Sequence, residues 1–332
     1  MRISYKRPFL GLGVLAFALA VLVLALPGQA TAAQVLKWAH VYETGSPYHK
    51  WAVWAGEEMK KRSGGEYEIE VFPASSLGKE VDINEGLTLG TVDIIYTGQL
   101  FAGRSYGPIA IGGSPYMFRD YNHWVAYRDS DLFGEMVGGY RDSTGNEVIT
   151  LTYYGQRHVT SNKEIKAPGD MDNLKIRVPN APLYKMFPEA VGANPTPIAF
   201  AEVYLALQQG VVDAQENPLP TIQFKKFYEV QDYITLTGHI TDALMTIVSG
   251  STWNGMSDED KAMLVGVLKE AAQNCTDDII AAENSLVAWF RDQGKTVNEV
   301  DRAAFRAAVV PLHNGPAATW DQATYDKLQA IQ

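Results

Sequence analysis

The amino-acid sequence predicts an α/β fold divided into about two domains. Its length of 332 residues corresponds to two domains of roughly 150 residues each. Strand-like and helix-like stretches alternate along the chain, and one uninterrupted helical stretch near the C-terminus is too long for a single domain. With 46% hydrophobic and 20% charged residues, the composition is that of a globular protein, which excludes a disordered or fibrous chain.

The first predicted domain begins after residue 33 and alternates strands with helices. Ser46 followed by Pro47 is typical of a helix start, because serine caps backbone N–H groups and proline needs none at the first helical position. The predicted elements are a strand at 35–40, a helix at 47–62, a strand at 67–72, a helix at 80–89 and a strand at 92–96. Short connections in a βαβαβ order predict a parallel sheet covered by helices.

A second unit begins near residue 148, with predicted strands at 148–154, 174–178 and 211–214 and a helix at 200–209. A longer helical stretch starts at Ser257, which is a typical N-cap residue, and continues to Gly294. At 1.5 Å per residue this helix spans about 54 Å. That is wider than either domain, so we expect it to cross both and to brace them as one jointed body.

The first 32 residues have the pattern of a secretory signal peptide. Arg2, Lys6 and Arg7 precede an uncharged apolar run at 9–26, and the small residues of 30–32 match a cleavage site. We therefore expect cleavage after Ala32 and export of the protein. The alternative is an uncleaved N-terminal anchor, since the apolar run is close to the shortest membrane span.

Charge and motif content exclude several function classes. The chain has 38 acidic and 28 basic residues, a net charge of −10, and no long basic run, so nucleic acid and anionic lipid are not predicted partners. Cys275 is the only cysteine, and we interpret it as a buried or half-buried helix residue. The six histidines form no close metal-ligand pair, and the motifs of serine hydrolases, phosphate loops and dinucleotide sites are absent. The sequence therefore predicts no catalytic residue, metal or cofactor.

Three polar residues near strand ends point to binding of an acid. Arg157 and Asn217 each follow a predicted strand, and Arg177 lies on the polar side of the strand at 174–178. Ligands of open α/β sheets bind beyond the strands' carboxyl ends, and a guanidinium binds an oxyanion through paired hydrogen bonds. The alternatives are solvated arginines, an Asn217 that caps a helix, and a nearby Phe200 that belongs to the core.

Several motifs in fixed order then identify a family. The chain closely resembles the DctP-type solute-binding proteins of tripartite ATP-independent periplasmic (TRAP) transporters over essentially its whole length after the predicted signal peptide. The motifs that carry this resemblance are at 72–78, 161–165, 170–179, 192–197, 201–208, 210–218, 227–230 and 237–240.

The resemblance implies a two-lobe periplasmic binding protein fold, with hinge strands and a long helix that spans both lobes. We assign lobe I to 33–154 plus about 243–282, and lobe II to 155–242 plus about 283–332. In the family's pattern, Arg177 matches the arginine that clamps a carboxylate and Arg157 a second arginine. Asn217 matches an asparagine at the acid group, and Phe200 an aromatic residue in the cleft.

The motifs are most similar to the sialic-acid-binding branch, but the residues for the rest of the sugar are missing. Val41, Gly98 and Phe101 stand where that branch has an asparagine, a glutamate and an arginine, so we do not predict a sialic acid binder. The distal side of the pocket is instead assigned to His40, Tyr42, Tyr96 and Gln99. The expected ligand is a small organic anion: a dicarboxylate, uronate, keto-acid, aromatic acid or small sulfonate.

The predicted function is therefore capture of an organic acid in the periplasm and its delivery to a TRAP permease in the membrane, without catalysis. Two alternatives use the same cleft. One is a ligand sensor for a membrane receptor, and the other is a periplasmic enzyme that acts on an organic acid through His40 or His158.

Overall fold

The computed structural model describes residues 1–5 and 33–332. The apolar run and cleavage site of the predicted signal peptide lie outside these residues. Among the helices that the structure describes, none combines the length and apolar character needed to cross a membrane.

The described residues form one mixed sheet of nine strands in the order β2-β1-β3-β8-β4-β7-β5-β6, with β9 paired to β8. The strands are β1 (Gln34–Ala39), β2 (Tyr67–Phe72), β3 (Ile94–Gly98), β4 (Glu147–Ser161), β5 (Lys175–Val178), β6 (Asn194–Pro197), β7 (Ala214–Pro218), β8 (Tyr233–Val248) and β9 (Thr296–Asn298).

Helices cover the sheet, and short 3-10 turns connect several of the elements. The α-helices are α1 (Pro47–Arg62), α2 (Glu80–Leu89), α3 (Gln99–Ala102), α4 (Tyr121–Arg128), α5 (Asp131–Thr144), α6 (Met186–Ala190), α7 (Val203–Gln208), α8 (Leu219–Phe224), α9 (Gly250–Gly255), α10 (Asp258–Asp292), α11 (Arg302–Val309) and α12 (Gln322–Ala330).

Two long antiparallel strands, β4 and β8, join two groups of parallel strands. One end of this ribbon pairs with β3 and so with β1 and β2. The other end pairs with β7 and so with β5 and β6. Between them the ribbon shifts register near Gly155, whose φ of 117° suits glycine because it has no side chain to clash. The ribbon is the hinge-strand arrangement that the resemblance implied.

The long helix is confirmed as α10, and its N-cap is Ser257, whose hydroxyl accepts from the Asp260 N–H. Its N-terminal two thirds pack into the larger hydrophobic core, where Cys275 is fully buried. Leu286 and Phe290 near its C-terminus pack into a second core around α7 and α8. The helix thus links two cores, as its length predicted. The exact lobe boundaries stay a prediction.

Two predicted strands were misplaced for the same reason. The strand predicted at 211–214 lies at Ala214–Pro218, and the one predicted at 92–96 lies at Ile94–Gly98. Gly210 and Gly90 adopt positive φ after the preceding helices, and the Val211 and Val92 N–H groups bond back to helix carbonyls. Each valine therefore belongs to a helix end rather than a strand.

As a consequence, Asn217 lies inside β7 and not after a strand. Arg157 likewise lies inside β4, which continues past residue 154.

Candidate functional site

A cavity lies between the two groups of parallel strands, where the β4–β8 ribbon shifts register. The empty space within its lining is about 340 Å³, part of which is open to solvent. Its lining combines charged, aromatic and small side chains: Val41, Tyr42, Glu80, Gly98, Tyr154, Arg157, Arg177, Pro179, Tyr184, Phe200, Asn217, Asp242 and Leu244.

Arg177 is a buried cation that has no carboxylate partner among the described residues. It lies on β5 with only 2% of its surface exposed, and its Nε donates to the Ile198 carbonyl oxygen at 2.9 Å. Its Nη1 is buried and has no hydrogen-bond partner in the described residues. Burial lowers the pKa of Arg177 to about 10, so it stays charged at neutral pH. A buried guanidinium with an unused nitrogen is a site that needs an anion.

Arg157 is equally buried, but protein carboxylates occupy its fork. Its Nε and Nη2 bind both carboxylate oxygens of Glu216, and its Nη1 donates to Asp242 Oδ2 at 2.9 Å. Burial raises the pKa of Glu216, but Arg157 and His239 outweigh this effect and lower it to about 2. Arg157 therefore forms part of the cavity wall as a member of an ionic network.

Asn217 is held so that its amide faces the cavity. Its Nδ2 donates to Gln215 Oε1 at 2.7 Å, and its Oδ1 accepts from the Tyr154 hydroxyl at 3.2 Å. The Tyr154 hydroxyl in turn accepts from the Thr221 hydroxyl at 2.9 Å. This chain of bonds leaves one Nδ2 hydrogen for a ligand and shows that Asn217 does not act as a helix cap.

Phe200 forms an aromatic face of the cavity beside Arg177. The 3-10 turn that carries it precedes α7, and its ring lies 5.9 Å from the Arg177 guanidinium carbon. Lys225 Nζ is 5.0 Å from the same ring and forms an ion pair of 2.6 Å with Glu43. The ring thus lies between a buried cation and an ion pair near the protein surface.

Glu80, the first residue of α2, lies on the wall formed by the other strand group. Its Oε1 accepts from the Thr97 hydroxyl and from the Gly98 N–H, both at 3.0 Å. Burial raises the pKa of Glu80 to about 7, although the two hydrogen bonds oppose the shift. This carboxyl therefore changes charge near neutral pH.

Of the eight predicted site residues, Arg177, Arg157, Asn217, Phe200 and Tyr42 line the cavity.

The structure places the other three, His40, Tyr96 and Gln99, beside the cavity and within the core. His40 Nε2 lies 3.2 Å from His49 Nδ1, and Tyr96 packs against Trp38 with ring centroids 4.9 Å apart. Gln99 Nε2 donates to the Gly112 carbonyl oxygen at 3.0 Å. With these contacts, all three lie outside the cavity lining.

Sequence reasoning missed Glu80, Tyr154, Tyr184 and Asp242. Tyr154 and Glu80 stood at the ends of predicted elements, which is the same signal that singled out Arg157. Asp242 had no such signal, because it lies in the middle of β8. Tyr184 lies in a short 3-10 turn that has no periodic pattern.

The arrangement can hold an oxyanion at Arg177 and Asn217, with an aromatic face at Phe200 and hydrogen-bonding groups at the opposite wall. Among the described residues, histidine, cysteine and acidic side chains form no cluster of three that could hold a metal ion.

Comparison with known proteins gives a family match over most of the chain. Residues 38–318 match the family described as "Bacterial extracellular solute-binding protein, family 7". The sialic acid-binding periplasmic protein of Vibrio cholerae is 34% identical over 317 residues, which cover 94% of this chain and 98% of that protein.

Solved structures agree with this match. A TRAP periplasmic solute-binding protein from a Polaromonas species, bound to D-erythronate, is 30% identical with a TM-score of 0.86, over 90% of this chain and 99% of the other. Another, from Roseobacter denitrificans with bound L-galactonate, is 31% identical with a TM-score of 0.84, over 90% and 98%.

Proposed function

This chain belongs to the family 7 bacterial extracellular solute-binding proteins, as its motifs predicted, and we propose that it is the periplasmic binding component of a TRAP transporter. In this role it captures a small organic anion in the cavity and delivers it to a permease in the membrane. The permease is the partner that the family implies.

The observation that carries the proposal is the unused Nη1 of Arg177. An isolated buried charge is strongly unfavourable unless it is paired and hydrogen-bonded. A carboxylate or sulfonate beside Arg177 supplies both the charge and the acceptors, and Asn217 offers a further donor to the same group. Charge-assisted hydrogen bonds of this kind contribute about 1.5–3 kcal/mol each.

The solved relatives support an organic acid as the ligand class. D-Erythronate and L-galactonate, the ligands of the two structures described above, each have one carboxylate and a hydroxylated carbon chain.

The positions of His40 and His158, the two histidines that an enzyme acting in this cleft would need, fit binding without chemical conversion. His158 is buried and its Nδ1 accepts from the Gly238 N–H at 3.0 Å, while His40 is in contact with His49. Neither lines the cavity, so neither is placed against a bound acid.

Capture and delivery require the two strand groups to move relative to each other. We propose that they correspond to the two lobes, 33–154 plus about 243–282 and 155–242 plus about 283–332, and that they close about the β4–β8 ribbon. A ligand that contacts both walls favours the closed state, and closure changes the outer surface that the permease contacts.

The test is thermal unfolding of the full chain, exported and purified from the periplasm of a bacterial host, and refolded from denaturant to remove any co-purified ligand. The acids are C4-dicarboxylates, aldonates, uronates, keto-acids, aromatic acids and two-carbon sulfonates. A true ligand at 100 times its Kd adds about 2.7 kcal/mol, which is a shift of about 5 °C for a chain of this size.

Arg177→Met is the control, and we expect it to lose the shift. NMR of the recovered ligand after hours at equimolar protein must show it unchanged. The absence of a shift with every acid contradicts the proposal, and conversion of the ligand contradicts the non-catalytic role.

A further inference from the structure

We propose that the cavity selects hydroxylated acids with a single negative charge and rejects dianions such as dicarboxylates, with Glu80 as the residue that determines this specificity. The inference rests on the proposed function, since it assumes that Arg177 holds the acid group.

The charges around the cavity leave one place for an anion. Arg157 is bound by two carboxylates, those of Glu216 and Asp242, so this network has an excess of one negative charge. Arg177 adds one positive charge and Glu80 adds a second negative charge when it is ionised. A monoanion can pair with Arg177, but a second anionic group finds no unpaired cation within the lining.

Glu80 and Arg177 lie on different walls. Arg177 is on β5, whereas Glu80 is hydrogen-bonded to the end of β3. Three strands, β8, β4 and β7, lie between β3 and β5 in the sheet. A ligand whose acid group binds Arg177 therefore directs its far end toward Glu80.

The groups around Glu80 suit hydroxyls. Its Oε2 accepts no hydrogen bond from the described residues, and the nearby hydroxyls of Tyr42 and Tyr184 make none with them either. The charged groups that face Glu80 are Asp242, which repels an anion, and Arg157, whose fork is occupied. A hydroxyl can donate to Glu80 Oε2, whereas a carboxylate there faces two carboxyl groups.

The experiment compares acids that differ only at the far end. D-Erythronate and meso-tartrate have the same four carbons, and L-galactonate and galactarate have the same six, but the terminal CH2OH of the first member is a carboxylate in the second. Isothermal titration calorimetry of the refolded full chain at pH 8 measures each Kd. We expect the monoanion of at least one pair to bind and its dianion to bind about 100-fold more weakly or worse.

Glu80→Gln removes the charge and keeps an acceptor for Thr97 and Gly98. We expect this variant to reduce the ratio of dianion Kd to monoanion Kd within a pair to below about tenfold. The matched control is Glu85→Gln on the same helix, whose side chain lies outside the cavity lining and which should leave the ratio unchanged. If Glu80→Gln does not fold, the unaltered chain still tests the inference. Its ratio of dianion Kd to monoanion Kd should be smaller at pH 5.5, where Glu80 is neutral, than at pH 8.

Each result has a separate meaning. Equal or tighter binding of the dianion overturns this inference and leaves the proposed function intact. Binding only of acids without hydroxyls, such as aromatic acids, also overturns it. Failure of every acid in the wider set to bind overturns the proposed function itself.

Discussion

Two arginines line the same cavity and are buried to the same extent, with 2% of each exposed, but their surroundings differ. Arg157 is bound by Glu216 and Asp242, which hold its pKa above the usual range although burial lowers it. Arg177 has no carboxylate partner in the part of the chain that the structure describes, and burial lowers its pKa to about 10. Equal burial therefore does not imply equal surroundings: carboxylates within the fold neutralise Arg157, whereas the proposed function assigns the unpaired Arg177 to a ligand.

The largest expected effect is on stability, when Arg157 is replaced. Arg157→Met leaves Glu216 and Asp242 buried without their cation, and breaking a buried ion pair in this way costs about 3–5 kcal/mol. We expect the free energy of unfolding, measured by denaturant titration without ligand, to fall by that amount.

Arg177→Met is the matched control for this prediction, since it removes a guanidinium of equal burial that has no carboxylate partner. Its free energy of unfolding should stay the same or rise. A similar loss of stability in both variants would contradict the distinction between the two arginines.

The second effect is on the affinity for the ligand, and here Arg177 is the arginine whose replacement has the large effect. Arg177→Met removes the cation that pairs with the acid, and loss of one partner of a buried charge pair costs about 2–5 kcal/mol of binding free energy. Calorimetry with the acid found by thermal unfolding should show this loss. Arg177→Lys should also bind poorly, because an ammonium lacks the planar fork that matches a carboxylate. Normal affinity in Arg177→Lys would show that paired hydrogen bonding is not required.

How far these roles could be predicted from sequence depends on the range of the interactions. The strand and helix order around β1, β2 and β3 follows from local periodicity, and the N-cap of α10 from Ser257. The extent of β4 does not, because Gln156, Arg157 and His158 interrupt its apolar pattern. Their partners on β7 and β8 are distant in sequence, so only the folded chain shows that a polar stretch is buried strand.

The same limit applies to the site. Arg177, Asn217 and Phe200 were found from their positions near element ends and from the family motifs. Asp242 reaches the cavity only through the register of β8 against β4. Tyr96 was predicted to face the pocket, but aromatic character alone does not say which face of a strand a residue occupies, and here its ring packs on Trp38.

The third effect is a pH dependence that comes from Glu80, on the wall away from Arg177. Burial raises the pKa of Glu80 to about 7, so it is largely neutral at pH 6 and largely ionised at pH 8. Ionisation adds negative charge to a cavity that receives an anion, while Arg177 stays protonated throughout. A ligand hydroxyl that donates to the ionised Glu80 offsets part of this repulsion, so affinity for the acid should fall as pH rises by at most roughly tenfold between pH 6 and 8. In Glu80→Gln the affinity should be the same at both pH values, and a slope that persists there would assign the effect to another group.

The smallest effect tests a third cation, Lys225, which is paired like Arg157 but lies near the surface. Its ion pair with Glu43 joins segments 182 residues apart beside Phe200, with 12% of the lysine side chain and 35% of the glutamate side chain exposed. Such a pair contributes about 0.2–1 kcal/mol, and it is formed only when these two segments meet. Lys225→Met should therefore speed ligand dissociation by roughly two- to fivefold in stopped-flow displacement.

The matched control for Lys225 is Lys79, whose ion pair with Glu202 also joins distant segments but has more than half of each side chain exposed. Water and salt screen such a pair, so Lys79→Met should leave the dissociation rate unchanged. If both lysines gave the same rate change, the degree of burial would not decide what an ion pair contributes at this cavity. The contrast between the two arginines would then rest on their partners alone. If the ligand dissociates faster only from Lys225→Met, both the burial of a cation and its partner decide what it contributes. Arg157 then acts on the stability of the fold, Arg177 on ligand affinity and Lys225 on the residence time of the ligand.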